Sequence, residues 1–249
     1  MADDMTSAPV TAAELRNEPP SARTGAAWRT YLPGAAGVAY LAAWIAGLAA
    51  WPVNLALNAT APQTVASYDA HPAGAVTQYL LAEGLAGLLL APVLGTALFP
   101  RLGAGKRAWS RAAVTAAVFG TVAVVVSLTQ CVLGLILTSA ATGHDVTTSG
   151  DLSNLVNQLD GVKMLALAVT AVSVAAVKSP GLALPRWLRV TALLLAAALT
   201  VSGYAYLTLT NALAWTAFVS GILLLLWVTG TGIALTVRRR TLPPPTARS

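Results

Sequence analysis

This chain reads as an all-α polytopic membrane protein, a helix bundle of six transmembrane helices with both termini in the cytoplasm. Three observations carry that expectation. The 249 residues are 56% hydrophobic and only 10% charged, against roughly 25% charged in a soluble globule, so the chain lacks the polar side chains to face water all round. Its apolar residues fall into six runs, at 33–53, 78–99, 112–138, 159–178, 188–208 and 212–237. Each supplies the ~20 residues a helix needs to cross a hydrocarbon layer roughly 30 Å thick, and none alternates as a barrel strand would. Finally, the cationic residues are confined to one set of connections.

Arg16, Arg23 and Arg29 precede the first run, and Arg101, Lys106, Arg107 and Arg111 separate the second from the third. Lys178, Arg186 and Arg189 lie between the fourth and fifth; Arg238, Arg239, Arg240 and Arg248 follow the sixth. The alternate loops, 54–77 and 139–158, hold no Lys or Arg. This positive-inside distribution orients the chain. It accounts for every cationic residue except Lys163, and with it the net charge of +6, so no nucleic-acid partner is expected. The location expected is a cell membrane, multi-pass, and the alanine bias points to a bacterial plasma membrane. Asp3, Asp4, Glu14 and Glu18 with no apolar stretch beside them argue against a signal peptide. The domain plan is a disordered cytoplasmic tail over 1–31, a transmembrane domain over 32–238 and a second disordered tail over 239–249, both tails rich in Pro, Ser and Thr.

The first span opens at Pro33, where a missing N–H costs little, and closes near Trp51-Pro52. Loop 54–77 is polar and too short for a domain. The second span carries Glu83 and Pro92 and stops at Pro100; Pro92 deprives the Leu88 carbonyl of its partner. Trp109 is expected at the headgroups. The third is β-branched through Val122–Val126, with Gln130 and the lone Cys131 beyond, so no intrachain disulfide exists. Asp151-Leu152-Ser153-Asn154 reads as an amphipathic lead-in to the fourth span, which stops at Ser179-Pro180-Gly181. The fifth and sixth spans form an antiparallel hairpin around Thr210-Asn211.

The few polar residues inside the runs share a level. Counted from the ends of their runs, Glu83, Gln130, Lys163 and Tyr204 lie roughly 6–12 Å below the outer boundary, with Asp160 and Asn211 at the rim. An ionisable group facing lipid costs at least about 2.5 kcal/mol, so such groups turn inward and pair. Glu83 and Lys163 are natural partners; Asp160, three residues before Lys163, competes for it. If Asp160 takes Lys163, Glu83 is left alone, and a carboxyl that keeps its proton is a usable general acid. Each residue also has a structural reading: Lys163 as a snorkelling side chain, Asp160 as a helix N-terminal acid, Gln130 as interhelical glue, Tyr204 and Tyr206 as interfacial aromatics. His71 with Asp69, and His144 with Asp145 and Asp151, lack metal-site spacing, and no nucleotide, haem or DDxxD motif occurs. No metal or cofactor is expected.

Ala35, Gly37-Val38-Ala39-Tyr40-Leu41-Ala42 and Ala82-Glu83-Gly84-Leu85-Ala86-Gly87 resemble stretches of uncharacterised actinobacterial five-to-seven-span families. The chain also resembles the membrane-bound terpene cyclases of meroterpenoid and indole-terpenoid pathways, small all-helical proteins without DDxxD in which an acid of an early span protonates an epoxide or alkene. That resemblance implies Glu83 as proton donor, Asp160 as a second carboxylate, and a cation-stabilising cavity lined by Trp44, Trp51, Tyr79, Tyr204, Tyr206 and Trp215, with Gln130, Lys163 and Asn211 as further substrate contacts. The partners expected are a lipophilic isoprenoid-type substrate and membrane lipid; oligomeric state is not indicated. The alternatives are a small transporter, permease or self-resistance protein, with Glu83 and Lys163 coupling substrate or protons, and a non-catalytic membrane scaffold.

Overall fold

The computed structural model describes residues 20–51, 55–98, 110–177 and 184–241. Among them are seven α-helices and no strand: α1 Pro20–Ala50, α2 Ala61–Ala70, α3 Pro72–Leu98, α4 Arg111–Thr142, α5 Val146–Ala176, α6 Arg186–Leu207 and α7 Trp215–Thr241. Six are long and apolar enough to cross a membrane; α2 is not. The expected tails up to residue 19 and from 242, the stops at Pro100 and Ser179-Pro180-Gly181, and Trp109 lie outside the described residues. Helix α1 begins at Pro20, so helix reaches into the stretch expected to be the N-terminal tail.

The six spans close a ring in chain order. Each packs on the next, and α7 returns to pack on α1. The closing seam is tight because it is built from glycine. A Cβ on Gly37 would lie 3.2 Å from the Thr229 Cα, and one on Gly232 would overlap the Pro33 carbonyl. With lipid replacing water, close approach and hydrogen bonds rather than the hydrophobic effect hold helices together. Here the Thr229 hydroxyl donates to the Gly37 carbonyl at 3.1 Å and the Gly34 N–H to Thr236 Oγ1 at 2.9 Å. At this basic end, Arg240 stands over the Tyr31 ring, 4.4 Å from its centroid.

The opposite end carries the connections. There Asp145 caps α5, accepting from Thr148 N at 3.0 Å, while Ser110 caps α4 at the basic end, accepting from Ala113 N at 3.2 Å. The cap pulls the Asp145 carboxyl below the usual carboxylate range. Loop 54–77, expected as a polar loop too short for a domain, contains α2 and the first six residues of α3. Helix α2 lies against α4 and α5, burying Thr64, Val65 and Tyr68. For the same reason α5 is helical from Val146, thirteen residues before the expected boundary: its polar lead-in buries Ser149, Ser153 and Val156.

Two apolar clusters fill the ring. The larger joins Tyr40, Leu90, Val93, Leu94, Leu167, Leu195, Leu199 and Trp227. The smaller sits under α2 and joins Trp51, Tyr68, Tyr79, Leu137 and Val156. Outside the ring, apolar side chains such as Phe218 (74% exposed) face outward, as a lipid-facing surface requires.

Candidate functional site

Helix α3 does not run as one regular helix. Tyr79–Leu85 is a π-turn, an element found often at functional sites. Its extra residue rotates everything that follows by roughly 100° relative to an unbroken helix, and Glu83 lies within it. Gly84 and Gly87 make a groove for α4. A Cβ on Gly84 would lie 3.0 Å from Cys131 Sγ, and one on Gly87 3.0 Å from Ser127 Oγ.

In that groove the Ser127 hydroxyl reaches Glu83 twice, 2.8 Å from Oε2 and 3.0 Å from the main-chain carbonyl. From α5, Lys163 Nζ donates to Glu83 Oε2 at 2.6 Å and pairs with Asp160 Oδ1 at 2.6 Å. The competition between Glu83 and Asp160 for the lysine thus resolves as sharing. The Lys163, Glu83 and Asp160 side chains are only 8%, 14% and 20% exposed, so Lys163 does not snorkel. With all three ionised, the triad carries one uncompensated negative charge. Lys163 stands seventeen residues after Val146 and thirteen before Ala176, and Glu83 eleven residues after Pro72 and fifteen before Leu98, which sets the triad near the middle of the bundle.

A cavity of about 20 Å³ lies beside the triad, lined from α1, α3, α4, α5 and α7 by residues including Tyr40, Trp44, Ala82, Ser127, Lys163, Leu167 and Leu224. That is room for about one water. Toward the basic end the larger apolar cluster closes it. Toward the other end stands the smaller cluster, where Trp51 packs edge-on to Tyr68 at 4.5 Å and the Tyr68 and Tyr79 hydroxyls share a 2.7 Å hydrogen bond. Burial pushes the Tyr68 hydroxyl up to about 12, against the lowering by that hydrogen bond. A wider open hollow of about 410 Å³ lies at the junction of α2 and α3, lined by Trp51, His71 and Gly74 among others; neither Glu83 nor Lys163 borders it.

The residues expected to line one aromatic cavity do not converge. Trp44 borders the small cavity, whereas Trp51 and Tyr79 belong to the cluster under α2. Tyr204 and Trp215 are 60% and 66% exposed and face outward, the positions of interfacial aromatics. Tyr206 is half-buried and close enough to Asp160 to interact with its charge. Gln130 donates to the Val156 carbonyl at 3.0 Å, which is interhelical glue. Asn211 accepts from Leu57 N at 2.7 Å and donates to Asn58, tying the 208–214 turn to the 55–60 loop. His71 and His144 gather no ligand set: among the described residues no three His, Cys, Asp or Glu side chains group as a metal site.

Ser127 and Tyr40 are the residues that sequence reading missed. The signal for Ser127 was a serine one turn before Gln130 in a valine run; Tyr40 offered only its place inside the first span. The fold and the triad together define a class: a multi-pass helical membrane protein with a buried carboxylate–ammonium–carboxylate site at the centre of a six-helix ring. Beyond that class, the chain matches no known protein family, no curated protein and no solved structure.

Proposed function

We propose that this protein is a small membrane carrier driven by protons, with Glu83, Lys163 and Asp160 as the proton-binding site, represented here in an occluded state. The observation that carries the reading is one lysine shared by two buried carboxylates between two separate apolar plugs. Buried charges are costly unless balanced, and the triad is balanced when it takes up one proton. A proton-coupled carrier needs a group that gains and loses a proton inside the membrane without contact with both faces at once. The loop charges support placing both termini in the cytoplasm.

The isoprenoid-cyclase reading is less well supported. A ligand pocket usually measures roughly 300–1,000 Å³, whereas the space beside Lys163 is about 20 Å³. Glu83 bonds Lys163 and Ser127 rather than facing a guest. Conversion of an epoxidised prenyl compound by membranes carrying the protein, abolished in Glu83→Gln, would reinstate it.

Inverted vesicles acidified by respiration and followed with a ΔpH-sensitive dye test the carrier reading. A panel of lipophilic amines and organic anions should collapse the gradient for at least one compound with the native protein and for none with Glu83→Gln at equal expression. Identical traces from native, Glu83→Gln and protein-free vesicles overturn it.

A further inference from the structure

We infer that Ser127 is a positioning residue that couples the protonation of Glu83 to the backbone of the π-turn; this rests on the proton-carrier reading above. A serine hydroxyl has one hydrogen. At Ser127 two acceptors compete for it, Glu83 Oε2 at 2.8 Å and Glu83 O at 3.0 Å. Ser127 is 6% exposed, so bulk water does not intervene.

The ionised carboxylate is the stronger acceptor and takes the Ser127 hydrogen alongside that of Lys163. Once Glu83 binds a proton, its own O–H becomes a donor, which the Ser127 oxygen can accept. The Ser127 hydrogen is then free for the Glu83 carbonyl. No bond other than hydrogen bonds changes, and the only particle added is the proton.

That carbonyl lies where the π-turn ends. The Ala86 N–H is shared between Glu83 O and Leu81 O. The first is a tighter-turn bond, the second the i→i−5 bond of the π form. A full Ser127 bond to Glu83 O competes with the first and favours the second. Protonation at the carboxyl is thereby read out as backbone register, and register decides which way the residues of the turn face. Gly87 makes the device possible: a Cβ there would sit 3.0 Å from both the Ser127 Oγ and its Cβ.

The charged and titratable groups within electrostatic reach of Glu83 are Lys163 and Asp160 on α5, Cys131 on α4, Tyr40 on α1, Tyr206 on α6 and Tyr79 on its own turn. Lys163 and Asp160 set its charge balance. Ser127 hydrogen-bonds both its carboxylate and its main chain.

The test uses the full chain in lipid nanodiscs, titrated from about pH 4 to about pH 9. The Glu83 carboxyl infrared band is assigned by its loss in Glu83→Gln, and the Ala86 and Gly87 amide shifts are followed by NMR. In the native protein the amide shifts should move with the same midpoint as the carboxyl band. In Ser127→Ala the carboxyl should still titrate while the amide movement falls at least threefold; Ser127→Cys, a weaker donor of similar size, should retain part of it. A carboxyl that titrates with undiminished amide movement in Ser127→Ala overturns the role of Ser127 and leaves the carrier reading intact. A Glu83 that never titrates in the native protein overturns both.

Discussion

Replacing Lys163 by Met removes the cation and keeps a side chain of similar length. The ammonium lies 2.6 Å from each of two carboxylates, a gross attraction of about 6 kcal/mol per contact at an effective dielectric of ~20. Most of that is offset by the cost of burying the charges, but deleting one partner leaves the other uncompensated, and such losses run to about 3–5 kcal/mol. For a chain of this size each kcal/mol moves the melting midpoint by about 2–4 °C. Lys163→Met should therefore melt about 6–20 °C below the native protein in tryptophan-fluorescence melts in mild detergent at neutral pH. Glu83→Gln leaves Lys163 its Asp160 partner and Ser127 an acceptor, so it should lose only about 1–2 kcal/mol. Acidification supplies the neutralisation that Lys163→Met lacks, and the variant should regain stability as pH falls while Glu83→Gln does not. A Lys163→Met protein that melts within about 2 °C of native at every pH would show that the three charges are not held together.

Other perturbations reach the surrounding frame. Tyr68→Phe strands the buried Tyr79 hydroxyl bonded to it at 2.7 Å and should cost about 1–3 kcal/mol, while the double Tyr68→Phe/Tyr79→Phe change should cost less than the two single losses added, measured as a double-mutant cycle. A Cβ at Gly161 would lie 2.8 Å from the Gly203 carbonyl and 2.9 Å from Leu207 N; Gly161→Ala should cost about 1–3 kcal/mol in detergent melts. Gly95→Ala and Gly221→Ala meet nothing within 4 Å and should be neutral or stabilising by about 0.5–1 kcal/mol. Asp145 has a folded-state proton affinity below the ordinary carboxylate range, so its cap contributes above that range and is lost as pH falls through the folded value. The melting difference between native and Asp145→Ala should be largest near neutrality and close at low pH.

Run length and composition made the six spans legible, because hydrocarbon thickness and the loss of water impose them on any sequence. The pairing of Glu83 with Lys163 was legible too, since two ionisable side chains in apolar runs have few other outcomes. Helix α2 was not, and of the first turns of α5 only the Asp151–Asn154 lead-in was. Their residues are polar, and they are helical because they cover each other, a contact between residues some ninety positions apart. The π-turn left no signature either: one extra residue in a turn does not change composition, yet it rotates Glu83 relative to the rest of α3. The outward placement of Tyr204 and Trp215 follows from helix rotation within the ring. Their level along the helix axis was readable from the run ends, but the face was not, because both α6 and α7 are apolar nearly all round.

A scaffold needs only neutral glue, and this bundle shows what its neutral glue looks like. Between α6 and α7, Ser202 bonds Thr216 at 3.0 Å and Ser220 at 3.2 Å, and each hydroxyl also donates to or shares a carbonyl of its own helix or turn. Between α1 and α7 the contacts are Thr229 to Gly37 and Gly34 to Thr236; between α4 and α5, Gln130 to Val156. Every one of these holds two helices together without burying charge. At the triad the chain buries two carboxylates and one ammonium where a serine and a carbonyl would have held α3 to α4 and α5. It places the ammonium beside a cavity that five helices line. Helix adhesion alone does not call for that expense of desolvated charge, and a site that must take up and release a proton does.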